Sequence, residues 1–141
     1  MNKSSLSEVG IKYPFDLKVD SDGNVLIGGE DLEGAASLAK LDANGDLIWK
    51  KSLSGASGNF RIYSIAPGSD GSILAGGRTS EAKAFLAQFD KEGALIMEKQ
   101  YEGLGKAGFK GVLVEGEQWS AAGATLDNRG KSSGYLIQIK N

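Results

Sequence analysis

Carboxylates at alternate positions are the first residues in this chain that could do chemistry. The stretch "LDANGD" sets Asp42, Asn44 and Asp46 at the i, i+2, i+4 spacing that opens a calcium loop, and "DSDGN" does the same with Asp20, Asp22 and Asn24. The twelfth position counted from Asp42 is Leu53, where a calcium loop needs a bidentate Glu. A copy of the segment 48 residues later reads Asp90, Glu92, Ala94. Asn-Gly between apolar runs is a strong hairpin signal, so both stretches are expected to be turns, with no metal. "GGE" and "GGR" (Gly28–Glu30 and Gly76–Arg78) could face a phosphate, yet neither a helix nor a Lys-Ser/Thr pair follows. Packing of strand ends against neighbours is the reading adopted for these glycines.

Catalytic options are narrow. The chain has 141 residues with no histidine and no cysteine, which excludes Ser-His-Asp chemistry, imidazole acid–base work, thiolate ligands and disulfides. An enzyme would have to use carboxylates, Lys, Tyr or Ser, for instance Glu30 with Glu33 in glycoside hydrolysis. Glu33 recurs as Glu81 in the copy, whereas Glu30 becomes Arg78, so the pair is not specified twice. We therefore expect no catalytic residues and no cofactor. The net charge of −2, with 24% charged residues, lacks the basic field of a nucleic-acid or anionic-membrane partner. The start "MNKSSLSEVG" has no apolar signal-peptide core, and no later run approaches ~18 apolar residues. No export signal or membrane span is expected.

The elements that must position these residues come from glycine and repetition. There are 21 glycines against 2 prolines, and they fall in "DG", "GG" and "NG" or "EG" pairs between short apolar runs. That is the punctuation of strands joined by tight turns. Sliding the chain by 48 aligns residues 15–55 with 63–103, and sixteen of the 41 pairs are identical. A third, eroded copy starts near Lys110 and lacks its last strand. Each full unit reads as four strands: 15–19, 24–29, 36–42 and 46–53, then 63–67, 72–77, 84–90 and 94–101. No window carries a helical stripe. Apolar residues on both parities, as in Val25, Leu26 and Ile27 or Phe85, Leu86, Ala87 and Phe89, predict strands covered on two faces. Lys50 and Lys51, or Glu98 and Lys99, mark the fourth strand as an outer edge.

Tandem four-stranded meanders of this length are the units of propellers. The segment "SDGNVLIGGE…SLAKLDANGDLIWKKSLSG" resembles the blade of the bacterial β-propeller repeat proteins, in which a "DG…GG" hairpin precedes "LDxxGxxxW". The resemblance implies an all-β propeller domain over 1–141, with blades at about 15–53, 63–101 and 111–140. Copy two departs from it with Met97 in place of Trp49, and copy three lacks the "DG" and "LDxxG" elements. Trp49 and Trp119 could be sugar platforms but are expected to fill space between blades.

Three blades leave apolar end faces, and residues 2–6 sit where a fourth strand of the last blade would lie. The expectation is a homodimer that closes a six-bladed ring, each N-terminal strand completing the partner's last blade. A nine-bladed trimer, or a fragment of a longer chain, is the weaker alternative.

The longer connections, 30–35, 54–62, 78–83, 102–110 and 124–134, would gather at one end of the blades. Binding residues concentrate on such loops. The candidate ligand residues are Glu30, Asp31, Arg61, Arg78, Lys83, Asp127 and Arg129. The function read from the sequence is a non-catalytic binding or scaffold module for a carbohydrate or protein partner. A purely structural assembly unit is the alternative, and a carboxylate-based glycoside hydrolase stands behind both.

Overall fold

In the computed structural model, which describes residues 5–55, 58–102 and 105–140, the chain is all-β, with eleven strands and no helix among the described residues. The strands run β1 Ile11–Val19, β2 Val25–Asp31, β3 Ala36–Leu41, β4 Leu47–Gly55, β5 Gly58–Pro67, β6 Ile73–Thr79, β7 Ala84–Phe89, β8 Leu95–Tyr101, β9 Lys106–Glu115, β10 Gln118–Leu126 and β11 Ser132–Lys140. They form three antiparallel meanders, β1–β4, β5–β8 and β9–β11, and none of them closes on itself. Two residue pairs, Ser54↔Asn59 and Gly55↔Gly58, join the first meander to the second.

Seven of the hairpins use one turn. In each, the first residue donates its N–H to the carbonyl of the fifth, and the fourth donates back to the carbonyl of the first. The first residues are Asp20, Asp31, Asp42, Gly68, Thr79, Asp90 and Asp127. The fourth residue is left-handed, and it is glycine everywhere except Ala82, which sits at φ 61°. This is the three-residue hairpin loop with a bulge, which glycine suits because it has no Cβ. Where the first residue is Asp, its Oδ1 accepts the N–H groups of the third and fifth residues, as Asp42 does from Asn44 and Asp46 at 2.9 Å each. The carboxylate that looked like a metal ligand is thus the anchor of a turn.

The same turn corrects the expected loop asymmetry. Residues 31–35, 79–83 and 127–131 are as tight as the turns at the other end, so segments 30–35, 78–83 and 124–134 are not long loops. First strands also start earlier than expected, at Ile11, Gly58 and Lys106. Pro14 lies inside β1, next to a bulge at Phe15 that is matched by one at Tyr63 in β5. A bulge relaxes the need for a ladder N–H, which is why proline is tolerated there.

Packing is strongest between consecutive meanders. Leu26 and Leu38 of the first sheet meet Ile62, Ile65, Ile73, Phe85 and Phe89 of the second in one apolar cluster. Leu74 and Leu86 of the second meet Phe109, Trp119 and Ala121 of the third in another. β3 is buried at every position, as predicted for a strand covered on both faces. β10 and β11 alternate instead, with one face open. Trp119 is core, and the Trp49 indole N–H donates to Lys91 O at 3.1 Å across to the second sheet.

The N-terminal strand at 2–6 is a correction in part. Asn2, Lys3 and Ser4 lie outside the described residues. Ser5 is in no strand, Leu6 begins a turn, and Ile11 N–H donates to Leu6 O. Leu6 and Val9 pack on Ile11, Ile27, Ala39 and Leu41 of their own first sheet.

Candidate functional site

Two adjacent sheets present charged side chains to one depression of about 360 Å³, lined by Glu30, Gly34, Arg61, Arg78, Thr79 and Ser80. The register explains the convergence. Arg61 lies directly across from Arg78 in the β5–β6 ladder, and Glu30 lies across from Tyr13 in the β1–β2 ladder. β5 packs over β1 and β2, which carries Arg61 Nε to 3.0 Å from Glu30 Oε2. The Tyr63 hydroxyl and then the Glu30 carboxylate hold the Arg61 guanidinium above its ordinary pKa. Thr79 is buried, and its Oγ1 accepts the Lys83 N–H, which fixes the turn behind the depression.

Arg78 is exposed, as Arg61 is, but pairs with no carboxylate among the described residues. Its stem runs over Gly108, where an added Cβ would come within 3.2 Å of Arg78 Cβ. Beyond it a smaller groove of about 160 Å³ continues along Lys106, Gly108, Lys110, Thr125 and Ser132. Lys110 Nζ sits 3.6 Å from the centre of the Tyr63 ring, a close cation–π contact. Arg78 therefore stands between two shallow surfaces, one bordered by an ion pair and the other by two lysines. Such a surface can hold a carboxylate or a row of hydroxyls by charge-assisted hydrogen bonds.

Of the residues singled out from sequence, Glu30, Arg61 and Arg78 come together here. Asp31 does not line the depression: it is 6% exposed and its oxygens accept the N–H groups of Glu33 and Ala35 and the Ser52 hydroxyl. Burial pushes its carboxyl up, and those three hydrogen bonds together hold it below the usual range. Asp127 anchors the β10–β11 turn through the N–H groups of Arg129 and Lys131. Lys83 pairs with Glu102 at 3.0 Å and Glu81 at 3.1 Å, and Arg129 is exposed on its turn away from the depression. Tyr63, Lys106 and Lys110 were missed; the bulge position, shared by Phe15 and Tyr63 at the 48-residue spacing, was the signal that could have found Tyr63.

A scan against protein-family models found no match, and a search of the curated proteins found none either.

Proposed function

We propose that this chain is a non-catalytic binding or scaffold module, a run of propeller-type blades that recognises a carbohydrate or protein partner at the Glu30–Arg61–Arg78 depression. The observation that carries the reading is the convergence of these three charged side chains from two different sheets, with Arg78 unopposed by any described carboxylate. Arginine's planar fork suits a carboxylate or vicinal hydroxyls, so an acidic sugar or an acidic peptide is the favoured ligand chemistry. A glycan array and an acidic-peptide panel test it. Binding by the wild type should fall at least tenfold in Arg61→Ala/Arg78→Ala, with only a small drop in melting temperature, because both arginines are exposed even though Glu30 loses its partner. Binding that survives the double substitution would place the ligand elsewhere.

A second reading, a self-assembling unit in which two copies supply six blades, is favoured by a different observation: apolar side chains stay exposed on β1 and on the open face of the third sheet. The two readings are compatible, since no residue that lines the depression belongs to β1 or to the third sheet.

A further inference from the structure

One packing contact occurs twice inside the chain. A Cβ added at Gly28 in β2 would strike Ile62 Cγ2 at 2.8 Å and Ile65 Cγ2 at 2.9 Å, both from β5 of the next sheet. A Cβ at Gly76 in β6 would strike Val112 Cγ1 at 2.5 Å and Phe109 Cβ at 3.2 Å, both from β9. A hydrogen bond accompanies each contact: Ile65 N–H donates to Asp16 Oδ2 at 2.9 Å, and Val112 N–H donates to Ser64 Oγ at 3.1 Å. The ladders put Pro14, Ile62 and Phe109 opposite Gly29, Gly77 and Gly123, so they are equivalent. Leu17, Ile65 and Val112 follow as a second equivalent set.

Both halves of a third such contact are exposed. Leu136 is 62% exposed, whereas Leu38 and Leu86, its counterparts, are 0% and 1% exposed beneath the next sheet's first strand. Leu113, Ala122 and Ala124 share that open face. On β1, Leu17 is 58% exposed, against 0% for its counterpart Ile65.

We infer that the open face of the third sheet receives β1 of a second copy of this chain, in the register in which β5 covers the first sheet and β9 the second. This rests on reading the three sheets as consecutive blades. Substitutions at four positions of the repeat fit the second copy as occupant. Ala122 stands where the other two sheets have Gly28 and Gly76. The covering residues Pro14 and Leu17 lack the β-branched methyls that Ile62, Ile65 and Val112 place over those glycines. The methyl has moved from the covering strand to the covered one, which conserves volume. Gly111 replaces the acceptors Asp16 and Ser64, so the third sheet offers no side-chain oxygen to the incoming strand. The N–H that would need one, on Leu17, is already held by its own Asp16 Oδ1 at 2.8 Å. The Leu17 N–H is thus not left unpaired by the missing acceptor. Farther out, the first sheet has Ser37 and Leu41 where the second has Phe85 and Phe89, and Leu6 and Val9 pack in that region.

The contact joins two different patches, so each copy offers one of each, and a two-fold pair uses all four. The test is mass by light scattering of the full chain over a hundredfold range of concentration. The wild type is expected at twice the 14.7 kDa chain mass. Leu17→Asp alone and Leu136→Asp alone should each weaken association at least tenfold; both side chains are exposed in the free chain, and circular dichroism checks that each variant keeps its fold. Mixing the two variants should restore part of the association, because one contact then remains unaltered. Ala122→Ile should also weaken it, by overfilling. A monomeric wild type overturns the inference, as does a Leu17→Asp chain that still pairs, which would point to third sheets pairing with each other. A mass that climbs with concentration, yet collapses in both variants, keeps the contact and sinks the six-blade ring. Glycan or acidic-peptide binding by the monomeric Leu136→Asp chain reads the depression independently.

Discussion

Asp20 uses both carboxylate oxygens inside the fold. One accepts the N–H groups of Asp22 and Asn24, and the other accepts the Asn24 amide and the Lys40 ammonium at 3.0 Å, in a pair less than a tenth exposed on either side. Breaking a buried pair from one side leaves a charge without compensation, at a cost of about 3–5 kcal/mol. Asp20→Asn should therefore lower stability by an amount of that order in urea denaturation, and adding Lys40→Met should recover much of the loss. A single variant as stable as the wild type would show the pair to be solvated. Asp16, Asp20 and Asp31 share an acid dependence. Burial raises each carboxyl, but hydrogen bonds and nearby lysines outweigh it, so all three lie below their ordinary value; in Asp70 the Ser72 hydroxyl leads. With folded values depressed, their stabilisation is fully present above the unfolded carboxylate pKa of about 3.9 and is lost as pH falls through the folded values. The urea midpoint should be flat from pH 7 to 5 and drop steeply below 4. The role of Asp42 as turn anchor was legible from its spacing to Gly45. The Asp20–Lys40 pair was not, because the second repeat has Gly68 and Gln88 there and periodicity is silent on a feature that occurs once.

Each "GG" pair splits into two duties. The first glycine admits the next sheet's side chains; the second admits backbone, since an added Cβ would strike Tyr13 O at Gly29 and Arg61 O at Gly77, as it would Gly108 O at Gly123, which follows Ala122 in the third sheet. These are carbonyls beside a bulge, which cannot withdraw without breaking the ladder. Gly77→Ala should therefore lower stability by several kcal/mol or abolish folding. Gly130→Ala, left-handed at φ 79° with nothing within 4 Å, should cost only about 1–2 kcal/mol of backbone strain. Equal thermal shifts for the two would remove the steric account. Strand order and the packing role of the glycines could be read from the sequence. The turn at Asp31 was passed over although "DLEGA" carries the same "EG" pair as the turn at Asp90, because it was read as part of a longer connection, and "TSEAK" has no glycine at all. Strand starts were missed for a related reason: Pro14 reads as a strand breaker until its bulge is known. The depression needed both the bulges and the packing of β5 on β1, which lie beyond a linear reading.

Across the whole molecule, protection should follow the neighbours each sheet has. A stack of repeats is held by nearest-neighbour contacts, so its ends open first. β3 and β7 are flanked by strands on both sides and are almost wholly buried, whereas β11 pairs only with β10 among the described residues and is exposed at alternate positions. Amide hydrogen exchange should be slowest in β3 and β7 and fastest in β11. A β11 as protected as β3 in dilute solution, where copies are separated, would contradict a stack whose third sheet is its open end. All-β class and three repeats were evident from periodicity, but the openness of the third sheet came only from burial, because "YLIQIK" is as apolar as the covered "FLAQFD".

The recurrent turn also sets how this protein ages. Asn44-Gly45, Asp22-Gly23 and Asp70-Gly71 are the dipeptides in which the glycine nitrogen most readily attacks the preceding side chain, closing a succinimide that opens to aspartate or isoaspartate. In the fold each of those nitrogens already donates a hydrogen bond, Gly45 to Asp42 O at 3.0 Å, Gly23 to Asp20 O and Gly71 to Gly68 O at 3.1 Å. A nitrogen pinned this way, in a loop whose dihedrals are fixed, is poorly aimed at the side-chain carbonyl. Peptide mapping of stored samples should find deamidation at Asn44 slow in the native protein and much faster in urea. The covalent shelf life of the chain then becomes a reporter of its folding.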